Sequence, residues 1–378
     1  MARPARIAAA VNLLAAAALA AALGSGTKVS APPPTATSPA GAARWQAGIK
    51  ASATPAPDLQ QQFEVLPQGG HPGWLGADSD VSIVIGGGTS GRRALWIFAD
   101  TYISGFNKAQ DQREWAGKQM PHSTIALVDC DTNTTTSGGG RPCTAPPKFY
   151  WREGAESGRA ESFWVLPPLA LGPPPGTPEP LIWPVAGLAS RDGKTVLLLA
   201  QRIVGFLNCV GATTIVVNTV DKPDPLTDWS YTTAPIPSHN GTLAWFSAVS
   251  FASDDPANST VFLFGHDSTL PGRQTLLAKA DFGQLLRHDW SGLAFWTNLG
   301  WSGPGALYRP DAMQPLAVPS WETTLQFSAG LQRWYTFNLG LDGTVSLWTA
   351  DEVVGEWAAT AVYKLPPPFA HPASGAWL

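Results

Sequence analysis

The sequence predicts an all-β fold, a five-bladed β-propeller with four blades readable and the fifth partial. Three observations carry that expectation. The chain has 35 Pro, 38 Gly and 17 Trp among 378 residues, which favours short strands and many turns over long helices. A stretch from Gly76 to Ser104 reads as an antiparallel hairpin, with two short apolar runs joined by the Gly-rich turn Gly86–Gly91. The same strand order then returns along the chain until four units can be counted.

The N-terminal residues belong to processing rather than to the fold. Arg3 and Arg6 precede an Ala/Leu-rich run from Ile7 to Leu23, and small residues follow at Gly24–Gly26. Residues 1–24 therefore read as a secretory signal peptide. Because no acidic residue occurs before Asp58, an organellar transit peptide is the alternative. The run is only weakly apolar, so no stable membrane span is expected after processing. Residues 25–60 form a Pro/Ala/Ser/Thr linker too poor in large apolar groups to pack a core, which leaves 61–378 for the propeller domain. Secretion agrees with three N-glycosylation sequons, at Asn133, Asn240 and Asn258. It also permits a disulfide between Cys130 and Cys143, which flank a Thr/Gly-rich loop. Cys209 lies in an apolar segment and is expected as a buried thiol.

The propeller elements follow in order. Gln62–Trp74 reads as a single strand leading into the first hairpin. The inner strands are expected at Ser82–Ile85, Val185–Ala189, Ser247–Phe251 and Thr323–Phe327, with starts about 103, 62 and 76 residues apart. Each is followed by a more hydrophobic strand: Leu95–Phe98, Val196–Ala200, Val261–Phe264 and Trp334–Phe337. Third strands come at Thr124–Val128, Thr214–Val217, Thr275–Ala278 and Thr344–Trp348. Weaker fourth strands come at Lys148–Trp151, Ser230–Thr233, Leu293–Thr297 and Thr360–Lys364. The third strands run into Asp129, Asp221, Asp281 and Asp351, and Trp229, Trp290 and Trp357 follow three of these. Recurring with the repeat, both sets read as structural. The unequal spacing reflects insertions, notably the Pro-rich segment Leu166–Pro180. A twisted β-sandwich is the alternative, but it does not explain why one strand order returns four times. Phe282–His288 is the one place for a turn or two of helix.

In a propeller the inner strands surround a channel, and residues at their N-terminal ends share one rim. Those positions hold Asp78 and Asp80 in the first unit, Trp183 in the second, Trp245 in the third, and Trp321 with Glu322 in the fourth. The second strands run back to the same rim and end at Asp100, Gln201, His266 and Asn338. An acidic pocket walled by tryptophans results. Aromatic faces stack on sugar rings and carboxylates bond hydroxyls. Glycoside hydrolysis requires two carboxyls, one protonated and one ionised, and burial with like-charge proximity separates their pKa values. Asp78, Asp100 and Glu322 are the catalytic candidates: Asp78 as base or nucleophile, Glu322 as acid, Asp100 as the group that orients and tunes. Asp80, His122, Trp183, Trp245, His266 and Trp321 are the candidates for substrate binding. An Asp flanking a strand is also ordinary turn chemistry.

Three runs carry a family resemblance: W-x-G-A-D-S-D-V-S-I from Trp74, L-W-I-F-A-D-T-Y-I from Leu95 and H-S-T-I-A-L from His122. They resemble secreted five-bladed propellers related to glycoside hydrolases, in a poorly characterised branch similar to arabinan- and fructan-cleaving propellers. F-Y-W from Phe149, L-I-W-P from Leu181 and W-E-T-T-L-Q-F from Trp321 fit the same pattern. The resemblance implies that Asp78 and Asp100 occupy first-blade motif positions and that Glu322 is a rim glutamate of a late blade. Ala99 stands where a Gly is usual and His122 where an Asn is usual.

The expected function is thus that of a secreted carbohydrate-active protein that acts as a glycoside hydrolase on a polysaccharide or glycan. The alternative is a non-catalytic carbohydrate-binding or cell-surface structural propeller. No Walker loop and no zinc-spaced Cys/His set occurs, and no helix follows the Gly-rich turn, so no cofactor or metal is expected. A net charge of −4 with scattered basic residues gives no footprint for nucleic acid, and a monomer is expected.

Overall fold

The computed structural model describes residues 73–364, with internal exceptions that include 80, 87–90, 131–142, 166–179, 238–244, 267–274 and 319–324. The expectations placed on residues 1–24 and 25–60, on Asp80, Trp321 and Glu322, and on the sequons at Asn133 and Asn240 lie outside the described residues.

Four antiparallel sheets follow one another along the chain, each with its strands in sequence order. Blade one is Val81–Gly86, Arg92–Phe98, Thr124–Asp129 and Lys148–Tyr150. Blade two is Leu181–Ala189, Thr195–Val204, Asn208–Asn218 and Ser230–Pro235. Blade three is Trp245–Phe251, Thr260–His266, Thr275–Asp281 and Ala294–Thr297, extended by the short strand Gly300–Trp301. Blade four is Gln326–Ser328, Arg333–Leu339, Thr344–Ala350 and Ala358–Lys364. The all-β propeller expected from the sequence is what the chain forms, and four blades stand among the described residues.

The second strand of blade two shows why these sheets stack radially. Val196, Leu197, Leu198 and Leu199 are all 0% exposed. Val196 and Leu198 face Ile83, Leu95 and Ile125 of blade one, whereas Leu197 and Leu199 face Val249, Leu263 and Leu276 of blade three. A sheet in a two-layer sandwich buries one face, so such a strand would alternate apolar with polar. A strand buried on both faces reads as a continuous apolar run, as this one does. A third cluster, with Phe264, Leu277, Trp334 and Trp357, joins blades three and four. Trp229, Trp290 and Trp357 are each 8% exposed and lie within these inter-blade cores, as expected for packing residues.

All four inner strands line one central channel of about 690 Å3, to which they contribute Ser82, Gly187, Ser247 and Gln326. Close approach of the blades depends on glycine at two points. Gly193, at the tip of the inner hairpin of blade two, has φ +69°, and its carbonyl accepts from Gly86 N at 2.8 Å. A Cβ on Gly193 would run into the backbone of Gly86. Gly187 leaves the space that Ile83 of blade one fills.

The segment leading into the first hairpin behaves differently from expectation. Its described part, Gly73–Ala77, pairs antiparallel with Thr101–Ser104 and so lengthens the inner hairpin of blade one. The rest of the segments expected to contribute to a fifth blade, 62–72 and the tail after Pro366, lie outside the described residues.

Cys130 and Cys143 form a disulfide across a separation of 13 residues. Cys209 is half-buried rather than fully buried. Its Sγ donates to the Gly211 carbonyl at 3.2 Å, and burial pushes its thiol pKa up. Phe282–Leu285 makes a single helical turn, whose N-cap Asp281 accepts from Gln284 N at 2.8 Å. No helix of the described residues is long and apolar enough to cross a membrane.

Candidate functional site

The lengthened hairpin decides where the carboxylates sit. Asp78 and Asp100 do not end their strands. They face each other at an interruption, with Ala77 paired to Thr101 on one side and Val81 to Ile97 on the other. The backbone closes the gap with two bonds: Asp78 N donates to Asp100 O and Ala99 N donates to Asp78 O, both at 3.1 Å. Ser79, next to Asp78, has φ +53°, a left-handed conformation unfavourable for a residue with a Cβ. Strain of this kind, of order 1–3 kcal/mol, persists only where the surroundings enforce it, and it concentrates at functional sites.

The two carboxylates have different surroundings. Asp78 is 7% exposed. The Asp100 side chain is 23% exposed, and its Oδ1 receives two hydrogen bonds. His122 Nδ1 lies 2.6 Å away and Trp183 Nε1 donates from 2.8 Å. In the tautomer with its hydrogen on Nδ1, His122 donates to the same oxygen as Trp183. No bond engages Oδ2 among the described residues, so the two donors fix the carboxylate while one oxygen stays available.

Each donor is positioned by its own element. His122 lies two residues before the third strand of blade one, and its backbone N donates to Ser162 Oγ at 3.0 Å. Thr101 N bonds Pro121 O at 3.0 Å, and Thr101 Oγ1 lies 2.8 Å from Thr124 Oγ1, locking the strand after Asp100 to the segment carrying His122. Trp183 comes from blade two, so the site spans the seam between two blades.

Trp183 pairs with Gln201 and Trp245 with His266. A β-bulge follows in both blades, at Val185 and at Ser247. Bulges re-aim side chains and are frequent beside active sites. The structure thus brings together Asp78, Asp100, His122 and Trp183. Trp245 and His266 pair with each other where the first two strands of blade three meet, and Asp80, Trp321 and Glu322 lie outside the described residues. The indole N–H of Trp183 is engaged by Asp100 in the plane of its ring, a contact that the sequence did not suggest.

Sequence reasoning passed over Tyr102. Burial alternates along its strand: Thr101 is 0% and Ile103 1% exposed, whereas Asp100 and Tyr102 are half-buried on the open face. Burial, then Asp100, then Asp78 push the Tyr102 phenol pKa up, so it is a neutral hydrogen-bond donor beside the pair. The signal was the two-residue spacing from Asp100, visible only once the strand is known to continue. No group of three or more His, Cys, Asp or Glu side chains with metal-binding geometry occurs among the described residues.

No known protein family and no curated protein matches the chain. Solved structures do share its shape. A candidate hydrolase from Bacteroides ovatus is 13% identical with a TM-score of 0.54, covering 81% of this chain and 74% of its own. An exo-β-1,3-galactanase from Phanerochaete chrysosporium is 9% identical at a TM-score of 0.38. The match covers 76% of this chain and only 50% of the galactanase chain. A family 117 glycoside hydrolase from the marine bacterium Zobellia galactanivorans is 13% identical at 0.36, covering 79% and 72%. At such identity the first likeness shows the fold alone, and the other two are too distant in shape to carry anything further.

Proposed function

We propose that the protein is a secreted carbohydrate-active propeller that hydrolyses glycosidic bonds in a polysaccharide or glycan. One observation carries this reading above the others: Asp78 and Asp100 meet across a strained interruption of the ladder, and donors from two blades hold Asp100 by one oxygen. A carboxylate fixed in this way keeps its place and charge beside Asp78, which suits the group that orients and tunes a reacting carboxylate. The designation of the Bacteroides ovatus structure as a candidate hydrolase agrees with it. In this reading Asp78 is the base or nucleophile, and Asp100, fixed by His122 and Trp183, orients and tunes it. Glu322 is the acid that protonates the leaving oxygen. Asp80, Trp245, His266 and Trp321 complete the binding rim.

The mechanism needs its acting carboxyl pair roughly 5 to 9.5 Å apart, the lower end for retention and the upper for inversion. Incubation of the mature protein with arabinans, fructans and mixed plant and algal polysaccharides, read by release of reducing ends, tests the proposal. Release from at least one polymer is expected. Retention on a polymer without any release would leave a binding propeller and remove the enzyme.

A further inference from the structure

A second concave surface lies along the outer edge of blade one. Two hollows, about 600 Å3 and about 460 Å3, adjoin there, and Tyr150 lines both. The larger is lined by Arg93, Asp129, Lys148 and Asp221, the smaller by Trp151, Glu153 and Leu226. Arg93, which lines the larger hollow, stands at the start of the strand that leads to Asp100 seven positions on, about 23 Å away at ~3.3 Å per residue. The groove is therefore separate from Asp78 and Asp100.

Both of its walls are pinned. On one side the Cys130–Cys143 disulfide ties the segment leading to Pro146 and Pro147 against the end of the third strand, beside Asp129. On the other, Arg93 holds the turn of blade two. Arg93 is 4% exposed and donates from one terminal nitrogen to Val220 O and Lys222 O at 2.6 Å each, and from the other to Pro223 O at 3.5 Å. Its Nε is buried with no partner among the described residues. A groove with walls fixed by a covalent bond and a buried guanidinium exists before any ligand arrives, which lowers the ordering cost of binding.

The lining points to one ligand chemistry. Tyr150 and Trp151 are half-buried and present ring area, while Asp129 and Asp221 face the groove from opposite walls. Burial and then the charge of Asp224 push the Tyr150 phenol up, against the opposing pull of Arg93, so it remains a donor. Rings for stacking beside carboxylates and a phenol for hydroxyls fit a long, polyhydroxylated chain. An extended peptide would need a free strand edge to pair with. Here the outer strand, Lys148–Tyr150, has three residues, and Pro146 and Pro147 just before it lack the N–H that such pairing uses.

We propose that this groove is a second, non-catalytic site for a polysaccharide chain, resting on the carbohydrate reading of the rim for the choice of polymer. The test is affinity electrophoresis of the full chain through native gels containing arabinan or fructan. Two variants are compared with the parent: Trp151→Ala, and the isosteric pair Asp129→Asn with Asp221→Asn, which keeps the fold if the first does not. Both are expected to migrate faster, with the dissociation constant from mobility raised about tenfold. Cleavage of a short soluble oligosaccharide should be unchanged, while cleavage of the polymer slows. Unchanged retardation in both variants overturns the groove, as does absence of retardation of the parent. Retardation lost only on Asp100→Asn assigns binding to the rim and overturns it too. Mobility restored by an unrelated extended peptide, and not by the oligosaccharide, makes the groove a peptide site instead. A parent that is retarded through the groove yet cleaves nothing leaves the groove standing and removes the catalytic reading of the rim.

Discussion

Asp100 is held by two N–H donors on one oxygen, and that arrangement predicts a graded response to substitution. Trp183→Phe keeps the ring and removes one donor, so activity should fall by about tenfold, the loss of roughly 1.4 kcal/mol of charge-assisted bonding. His122→Ala removes the other donor and should cost at least as much. Steady-state kinetics with unchanged thermal unfolding would separate these effects from misfolding. A second expectation concerns alkaline pH. Tyr102, Tyr150 and Tyr335 have pKa values raised above 10, chiefly by burial, so the unfolded chain releases these protons first. Stability they contribute is present below pH 10 and lost as pH rises beyond it. Ultraviolet titration of the phenols should show ionisation later in the folded protein than in urea, and Tyr102→Phe should remove part of that late fraction. Simultaneous ionisation with the unfolded chain would contradict this. At this scale the sequence showed residue types and left orientation open. Asp78, Asp100 and Trp183 could be gathered from spacing, whereas His122 was a binding candidate that the rim alignment did not place. That the Trp183 indole would donate to the Asp100 carboxylate depends on the direction of one side chain, which no spacing encodes.

The strands were legible because their patterns are redundant. Thr195–Val204 is apolar on both faces, and the same four-strand order recurs, so one ambiguous segment cannot change the reading. What could not be read were the departures from regularity. Gly73–Ala77 looked like a lead-in strand, but it pairs with Thr101–Ser104 and carries the hairpin past the carboxylates. The bulges at Val185 and Ser247 shift side-chain parity without any marker residue. Gly193→Ala meets both a positive φ and the backbone of Gly86, and should cost about 2 kcal/mol or more in a denaturation series. Cys130→Ser opens the disulfide loop, for which loop-closure entropy gives about 3 kcal/mol. A variant as stable as the parent would show that the bridge constrains the unfolded chain little.

For the molecule as a whole, cohesion lies at the seams between blades. His288, with φ +57°, bonds Thr214 Oγ1 through Nδ1 and Thr232 Oγ1 through Nε2, each at 2.8 Å, and so fastens the helical turn of blade three to two strands of blade two. Burial holds its pKa below the ordinary 6.5. The unfolded chain therefore takes up the proton first, and the stability His288 contributes is present above pH 6.5 and lost as pH falls. The drop in Tm between pH 7 and pH 5 should be smaller in His288→Gln than in the parent. The propeller class was legible at this scale because each blade must bury two faces. The count of blades was not, since the segments expected to contribute to a fifth are short, Pro-rich and without a repeat of their own. Sugar cleavage by the rim carboxylates is tested by reducing-end release by the parent, Asp78→Asn and Asp100→Asn on the same polysaccharide. Loss of the parent's activity by about 10² to 10⁴ in both variants, with Tm unchanged, is the predicted result, and activity undiminished in either would contradict it.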